Sequence, residues 1–203
     1  MKYIELIERR QHGSFDFPFA FYDVNHSHSR YNMQLHWHKE FEILHVISGK
    51  FFLSIDNTHY TLSEGDTAII SGGSLHGGMP AECNYQCLVF DLEFFIKNHC
   101  FGADELQTIL LHEQNMKPFF PSADDFVKCC CENLMSAIQK RDPGWQLSSI
   151  GFMCSLLGYI LQQKYLVSTS SFTLKNKKKI KQFKTVLSFI SEHYTEKLTL
   201  AQL

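Results

Sequence analysis

Apolar and polar residues alternate along the first half of the chain and recur at three- and four-residue intervals along the second. Residues 31–38, 42–48, 51–55, 59–62, 67–71 and 85–92 read as strands, rich in branched and aromatic side chains and bounded by turn formers. Many short strands at close, regular spacing predict a β-sandwich or barrel. Upstream, residues 15–22 are dense in aromatics and interrupted by Pro18, which suits an extended arm or edge strand better than a helix. Such a segment either simply covers the barrel or lies over a ligand pocket. Beyond Leu92 the period changes, and helices are predicted over 92–100, 104–114, 123–140 and 146–165. Asp104 and either Ser122 or Asp124 are placed to cap them, and Asp142-Pro143-Gly144 separates the last two. In the last helix Leu147, Ile150, Cys154, Leu157 and Leu161 form an apolar stripe. It serves either to pack on the barrel or to make a dimer interface. Several helices compete for one small barrel, which favours the dimer contact.

The chemistry concentrates in His36-Trp37-His38-Lys39-Glu40-Phe41-Glu42. Alternate residues of a strand share a face, so His36 and His38 point the same way. A tight turn over residues 39–41 would set Glu42 beside them at the start of the next strand, facing in with Leu44 and Val46. His45 then shares the opposite face with Ile43 and Ile47, as outer packing. Trp37 and Phe41 are out of phase with the cluster, and Tyr31 and Met33 face away unless a bulge intervenes. A later strand, opened by Gly65-Asp66, ends near His76 and supplies a third imidazole. Such a set can hold Zn, Ni, Fe, Mn or Cu, can hydrogen-bond a small polar ligand such as a sugar, or can satisfy itself. A second pair, His26 and His28, has loop-like neighbours and no following glutamate, and is read as exposed.

Length and charge narrow the classes. The chain has 203 residues, 44% of them apolar, enough for one domain with an appendage or two small ones. A net charge of −2 does not advertise nucleic-acid binding by the chain as a whole. No apolar run reaches membrane-spanning length, residues 1–11 lack the apolar core of a secretion signal, and no membrane partner is expected. Seven cysteines without framework spacing read as reduced thiols of a cytoplasmic protein, and Cys129-Cys130-Cys131 would splay around a helix rather than hold zinc. No phosphate-binding loop or nucleophile elbow occurs.

The spacing H-x-H-x3-E-x6-G of His36, His38, Glu42 and Gly49 resembles the first cupin motif, and Gly65, Gly73 and His76 resemble the second. Ser71 stands where the second motif has proline, Pro80 where it has asparagine, and Arg30 where the first has glycine. The resemblance implies a mainly β plus α chain, with a cupin-like double-stranded β-helix barrel followed by a helical dimerisation segment. His36, His38, Glu42 and His76 become the ligand-binding residues, and the metal ligands if a divalent Zn, Ni, Fe or Mn is held; no cofactor is required. Near the other end, 189–194 followed by Leu198-Thr199-Leu200 resembles the opening of an AraC/XylS-type DNA-binding domain, after a Ser/Thr-rich linker, a lysine run from Lys175 to Lys184 and an amphipathic helix over 180–193.

Together these resemblances divide the chain into arm and sensing barrel (1–92), helical dimerisation segment (93–166), linker (167–179) and the start of a helix-turn-helix domain (180–203). They imply a homodimeric regulator that binds a small polar effector and shifts the population of arrangements of its DNA-binding parts. The alternative is a metal-dependent cupin dioxygenase or isomerase. No recognition helix occurs before residue 203, so these residues are expected to be the regulatory part of a longer regulator and not to read DNA alone.

Overall fold

A computed structural model describes Glu8, residues 12–14, Phe17 and residues 19–99, 104–111 and 113–168. The lysine run, the helix expected over 180–193, the tail resemblance and all of the expected linker after Ser168 lie outside the described residues.

A seven-stranded sheet is built from β1 (Phe19–Val24), β2 (Met33–His36), β3 (Phe41–Ile55), β4 (Thr58–Ser63), β5 (Thr67–Ile70), β6 (His76–Phe90) and β8 (Phe119–Phe120). The first short helices, α1 (Leu92–His99) and α2 (Asp104–Leu110), precede β7 (Gln114–Met116), which pairs with β9 (Leu166–Ser168) outside that sheet. Strands β3 and β6 are antiparallel along their whole length, from Phe41 opposite Phe90 to Ile55 opposite His76. The first part of β3 also takes β5, and its second part takes β4. Likewise β6 takes β2 near its start and β1 near its end. Each long strand therefore serves two ladders, and register shifts between Val46 and Lys50 bend it from one to the other.

That bend explains a difference from the sequence pattern. Residues 42–48 and 51–55 read as two strands because Gly49-Lys50 looks like a turn, yet they form one bent strand. Gly49 has φ +78, and a Cβ there would lie 2.1 Å from the Glu82 carbonyl oxygen, so the bend needs glycine. The first half of β6 escaped notice because Gly77, Gly78 and Pro80 are poor strand formers. Here β3 carries them on one side and β2 caps part of the other.

The two faces of the sheet bury different things. Inside lie Leu44, Val46, Phe51, Leu53, Leu62, Ile70, Tyr85 and their neighbours. Outside, Phe41, Ile43, Ile69, Leu88 and Phe90 pack under α1, α2, α3 (Asp125–Lys140) and α4 (Trp145–Gln162). Over residues 41–46 the expected phase of β3 holds, with even positions in and odd positions out; beyond the bend it reverses, and Phe51, Leu53 and Ile55 face in. His45 lies on the outer face as expected, with Nδ1 2.9 Å from Thr67 Oγ1 and Nε2 3.8 Å from Glu132 on α3. Asp124 caps α3 by accepting from the Val127 amide at 3.2 Å.

The apolar stripe of α4 is only partly the buried one. Ser149, Met153, Leu156, Leu157 and Ile160 face the core. Leu147 is 76% exposed, while Ile150, Cys154 and Leu161 are half-buried. A Cβ at Gly151 or Gly158 would meet nothing within 4 Å. The aromatic segment around residue 19 is an edge strand, β1, whose Tyr22 and Val24 also line the cavity described next.

Candidate functional site

Each member of the His36, His38, Glu42 and His76 set comes from a different local context. His36 ends β2 and is the cross-strand partner of His76, which opens β6. His38 follows β2, and its carbonyl accepts from the Gly73 amide at 2.7 Å, tying the loop before His76 to the loop before Glu42. This approach requires Gly72, where a Cβ would sit 2.2 Å from the Lys39 carbonyl oxygen. Glu42 lies on β3 opposite Val89, near the far end of β6 from His76, roughly 40 Å away along a flat strand. Yet His76 Nε2 is 3.3 Å from Glu42 Oε2. Only a sheet curled back on itself allows both statements, and this contact is the closure of the barrel.

The four ligand atoms lie within 4.8 Å of one another. His38, Glu42 and His76 are buried, and His36 is partly open. The rings crowd together, with centroids 4.3 Å apart for His36 and His76 and 5.0 Å for His38 and His76. All three imidazoles are oriented alike. His36 Nδ1 lies 2.7 Å from the Gln34 carbonyl, His38 Nδ1 3.0 Å from that of Glu40, and His76 Nδ1 2.9 Å from that of Ser74. A carbonyl oxygen only accepts, so each Nδ1 carries a proton and donates it. Each Nε2 is then the atom turned towards its neighbours in the cluster.

Glu42 Oε2 receives two of them, at 3.3 Å from both His38 and His76. Burial by itself would raise the pKa of Glu42, but the imidazoles of His38 and His76 beside it outweigh that and hold the acid well below its ordinary range. Burial likewise opposes protonation of His76, but Glu42 reverses this and raises the pKa. His36 is lowered, by burial first and by the charge of His76 second. His76 Nε2 is buried and close to Glu42 without hydrogen-bond geometry. A proton on one imidazole, or a cation among the four atoms, satisfies this arrangement.

His36 and Glu42 of the cluster line a cavity of about 740 Å³, together with Val24, Met33, Tyr85, Val89 and others. Sequence reasoning missed several of these. Met33 lies inside because the register of β2 shifts between Met33 and His36, the bulge that the alternation could not reveal. Tyr31 also packs against the inner cluster, and its hydroxyl oxygen accepts from the Cys83 amide at 3.1 Å. Glu8 and His12, from the arm, are a larger omission. Glu8 pairs with Arg30 and lies 3.5 Å from both His12 Nε2 and His36 Nε2. The His12 imidazole beside it leads in lowering the pKa of Glu8 to about 2, against burial and with help from Arg30. His26 and His28 stay in the loop, where the His28 ring accepts from the Arg30 amide. The described cysteines are free thiols.

Comparison with known proteins agrees with this geometry. The family model for the AraC-like ligand binding domain matches residues 20–128. A curated Bacillus subtilis (strain 168) protein, the uncharacterized HTH-type transcriptional regulator YdeC, is 25% identical over 205 residues, covering 96% of this chain and 68% of that protein. Among solved structures, a Bacteroides fragilis cupin protein is 20% identical over 36% of this chain and 64% of its own, with a TM-score of 0.30. A variant of Bacillus subtilis oxalate decarboxylase is 25% identical over 30% of this chain but only 18% of its own, with a TM-score of 0.27. No helix among the described residues is long and apolar enough to cross a membrane. With its cupin-like barrel, its inward cluster and this family match, the chain belongs to the AraC-like ligand binding domain family, as the ligand-sensing part of an AraC-type transcriptional regulator.

Proposed function

We propose that the barrel cavity is the effector pocket of this regulator, and that His36, His38, Glu42 and His76 orient a small polar effector in it. The observation that carries this reading is the convergence of the four groups, two of which, His36 and Glu42, line a cavity large enough for a small molecule. Binding shifts the population of arrangements of arm and helices, and with it the placement of the DNA-contacting part. The chain then senses rather than turns over its ligand. Recognition of DNA falls to the helix-turn-helix part whose opening residues 180–203 resemble.

A divalent transition metal fits the same four groups. The tautomer is right, since donation from each Nδ1 to a carbonyl leaves Nε2 for the metal. Ligand atoms around one ion lie at most about 4.2 Å apart, so a spread of 4.8 Å needs only a small contraction. Such an ion would supply a Lewis-acid anchor for an effector oxygen. Because it competes with protons on the imidazoles, its occupancy falls in mild acid.

The outer face of α4, with exposed Leu147 and open Gly151 and Gly158, is proposed as the dimer contact. The experiment on the pocket is a reporter assay in the full-length regulator with Glu42→Ala and His76→Ala. Both variants fold and lose or alter the effector response; normal response in both overturns the assignment. Elemental analysis of untagged protein, with His36→Ala/His38→Ala as control, decides the metal.

A further inference from the structure

The carboxylate of Glu8 sits where a ligand's carboxylate would sit. One oxygen meets the Arg30 guanidinium, and the other lies 3.5 Å from His12 Nε2 and 3.5 Å from His36 Nε2. Its side chain is only 14% exposed and lines the cavity. His12 is more deeply set, with a side chain 1% exposed, and its Nδ1 lies 3.1 Å from the Tyr22 hydroxyl. Its Nε2 is buried, points at the Glu8 carboxylate and makes no hydrogen bond. A better-placed acceptor would complete it. Glu42, the other acid in the cavity wall, is already committed to His38 and His76. Glu8 itself is held to the barrel by a backbone bond from its amide to the Trp37 carbonyl, 2.9 Å long.

We infer that Glu8 is an internal stand-in for the effector's acid group, and that the effector is a small organic acid whose carboxylate replaces Glu8 against Arg30, His12 and His36. This rests on the barrel being the effector pocket and narrows the ligand from polar to anionic. A neutral sugar gives a guanidinium little that water does not, whereas two oxygens, one on Arg30 and one shared by two imidazoles, match a carboxylate. The rest of the acid finds Val24, Met33, Tyr85 and Val89 in the lining. Glu8 and effector exclude each other, so Glu8 lowers the effector's apparent affinity by the fraction of time it holds the place. Release of Glu8 also frees its backbone from Trp37, between His36 and His38.

The test is chemical rescue in the whole chain. Glu8→Ala removes the atoms of one acetate beyond Cβ. Acetate raises the melting temperature of this variant saturably, by about 3–5 °C at a tenfold excess over its Kd. The same acetate leaves the parent chain unmoved, acetamide moves neither, and Glu8→Ala/Arg30→Gln no longer responds. Failure of acetate to shift Glu8→Ala, an equal shift in the parent, or an equal effect of acetamide overturns the inference. Should Glu8→Ala not fold, Glu8→Ser opens the same space with a small polar residue, and the same titration with the same outcomes applies. If Glu42→Ala and His76→Ala lose effector response while acetate binds no Glu8 variant, the pocket stands and the acid falls. If acetate binds but those two variants respond normally, the anion site is real without being the sensor, and the inference about the effector falls.

Discussion

The two faces of one sheet make the instructive contrast. The outer face is dry and apolar, with Phe41, Ile43, Ile69, Leu88 and Phe90 closed over by four helices. The inner face shares the same strands, yet it gives up close packing for a cavity of about 740 Å³ and buries Glu42, His38 and His76 at the cavity's edge. Burying an apolar side chain contributes about 1.5–3 kcal/mol, whereas each buried polar group must find partners to break even. Stability therefore resides mainly outside the barrel, and the proposed binding function inside it. This division lets a sensor change its ligand contacts without dismantling its scaffold.

Four substitutions probe that division, beginning with the largest effect. Leu134 on α3 is fully buried in the outer cluster, and Leu134→Ala should cost about 2–5 kcal/mol in chemical denaturation while leaving the effector response of the folded fraction unchanged. Glu42→Ala should cost less than about 2 kcal/mol, because without the acid that raises its pKa His76 can stay neutral and leaves no buried unpaired charge. It should nevertheless abolish the effector response. A larger loss than in Leu134→Ala would reverse the assignment of the two faces.

A pH series sharpens the outer side. Burial lowers the pKa of His45, against the pull of Glu132, so the folded state prefers the neutral ring. The unfolded chain takes up a proton near pH 6.5, and the folded chain does not, so the stability due to neutral His45 is present above that pH and lost as the pH falls below it. In His45→Gln the denaturation midpoint should decline less between pH 7.5 and 5.5 than in the parent. Identical declines would show that the ring is not held neutral. Smallest of all should be Leu147→Glu on the exposed side of α4, within about 0.5 kcal/mol by denaturation at monomer concentrations. Its effect should appear instead in sedimentation, as loss of the dimer.

The pocket's centre was legible because a strand fixes which side chains share a face. His36, His38, Glu42 and His76 follow from alternation, a tight turn and the motif spacing they resemble. The phase of the first part of β3 was legible for the same reason, though not its reversal after Gly49. What alternation cannot carry is a change of phase, and the bulge in β2 brings Met33 inside by that route. Nor can it carry a strand made by its neighbours, as in the first half of β6. Glu8 and His12 are joined to the site by the path of the arm, which no local spacing encodes. Arg30 was a partial signal, because it stands where the cupin motif has a glycine and turns out to hold Glu8.

The course of β6 has a mechanical consequence. Its first residue, His76, touches Glu42 in the inner cluster, and its last, Phe90, is pinned beneath the helices. It is laced to β3 from one end to the other. A tug on the imidazole is thus delivered along a stiff ribbon to the underside of the layer that any output must move, without a relay of separate parts in between.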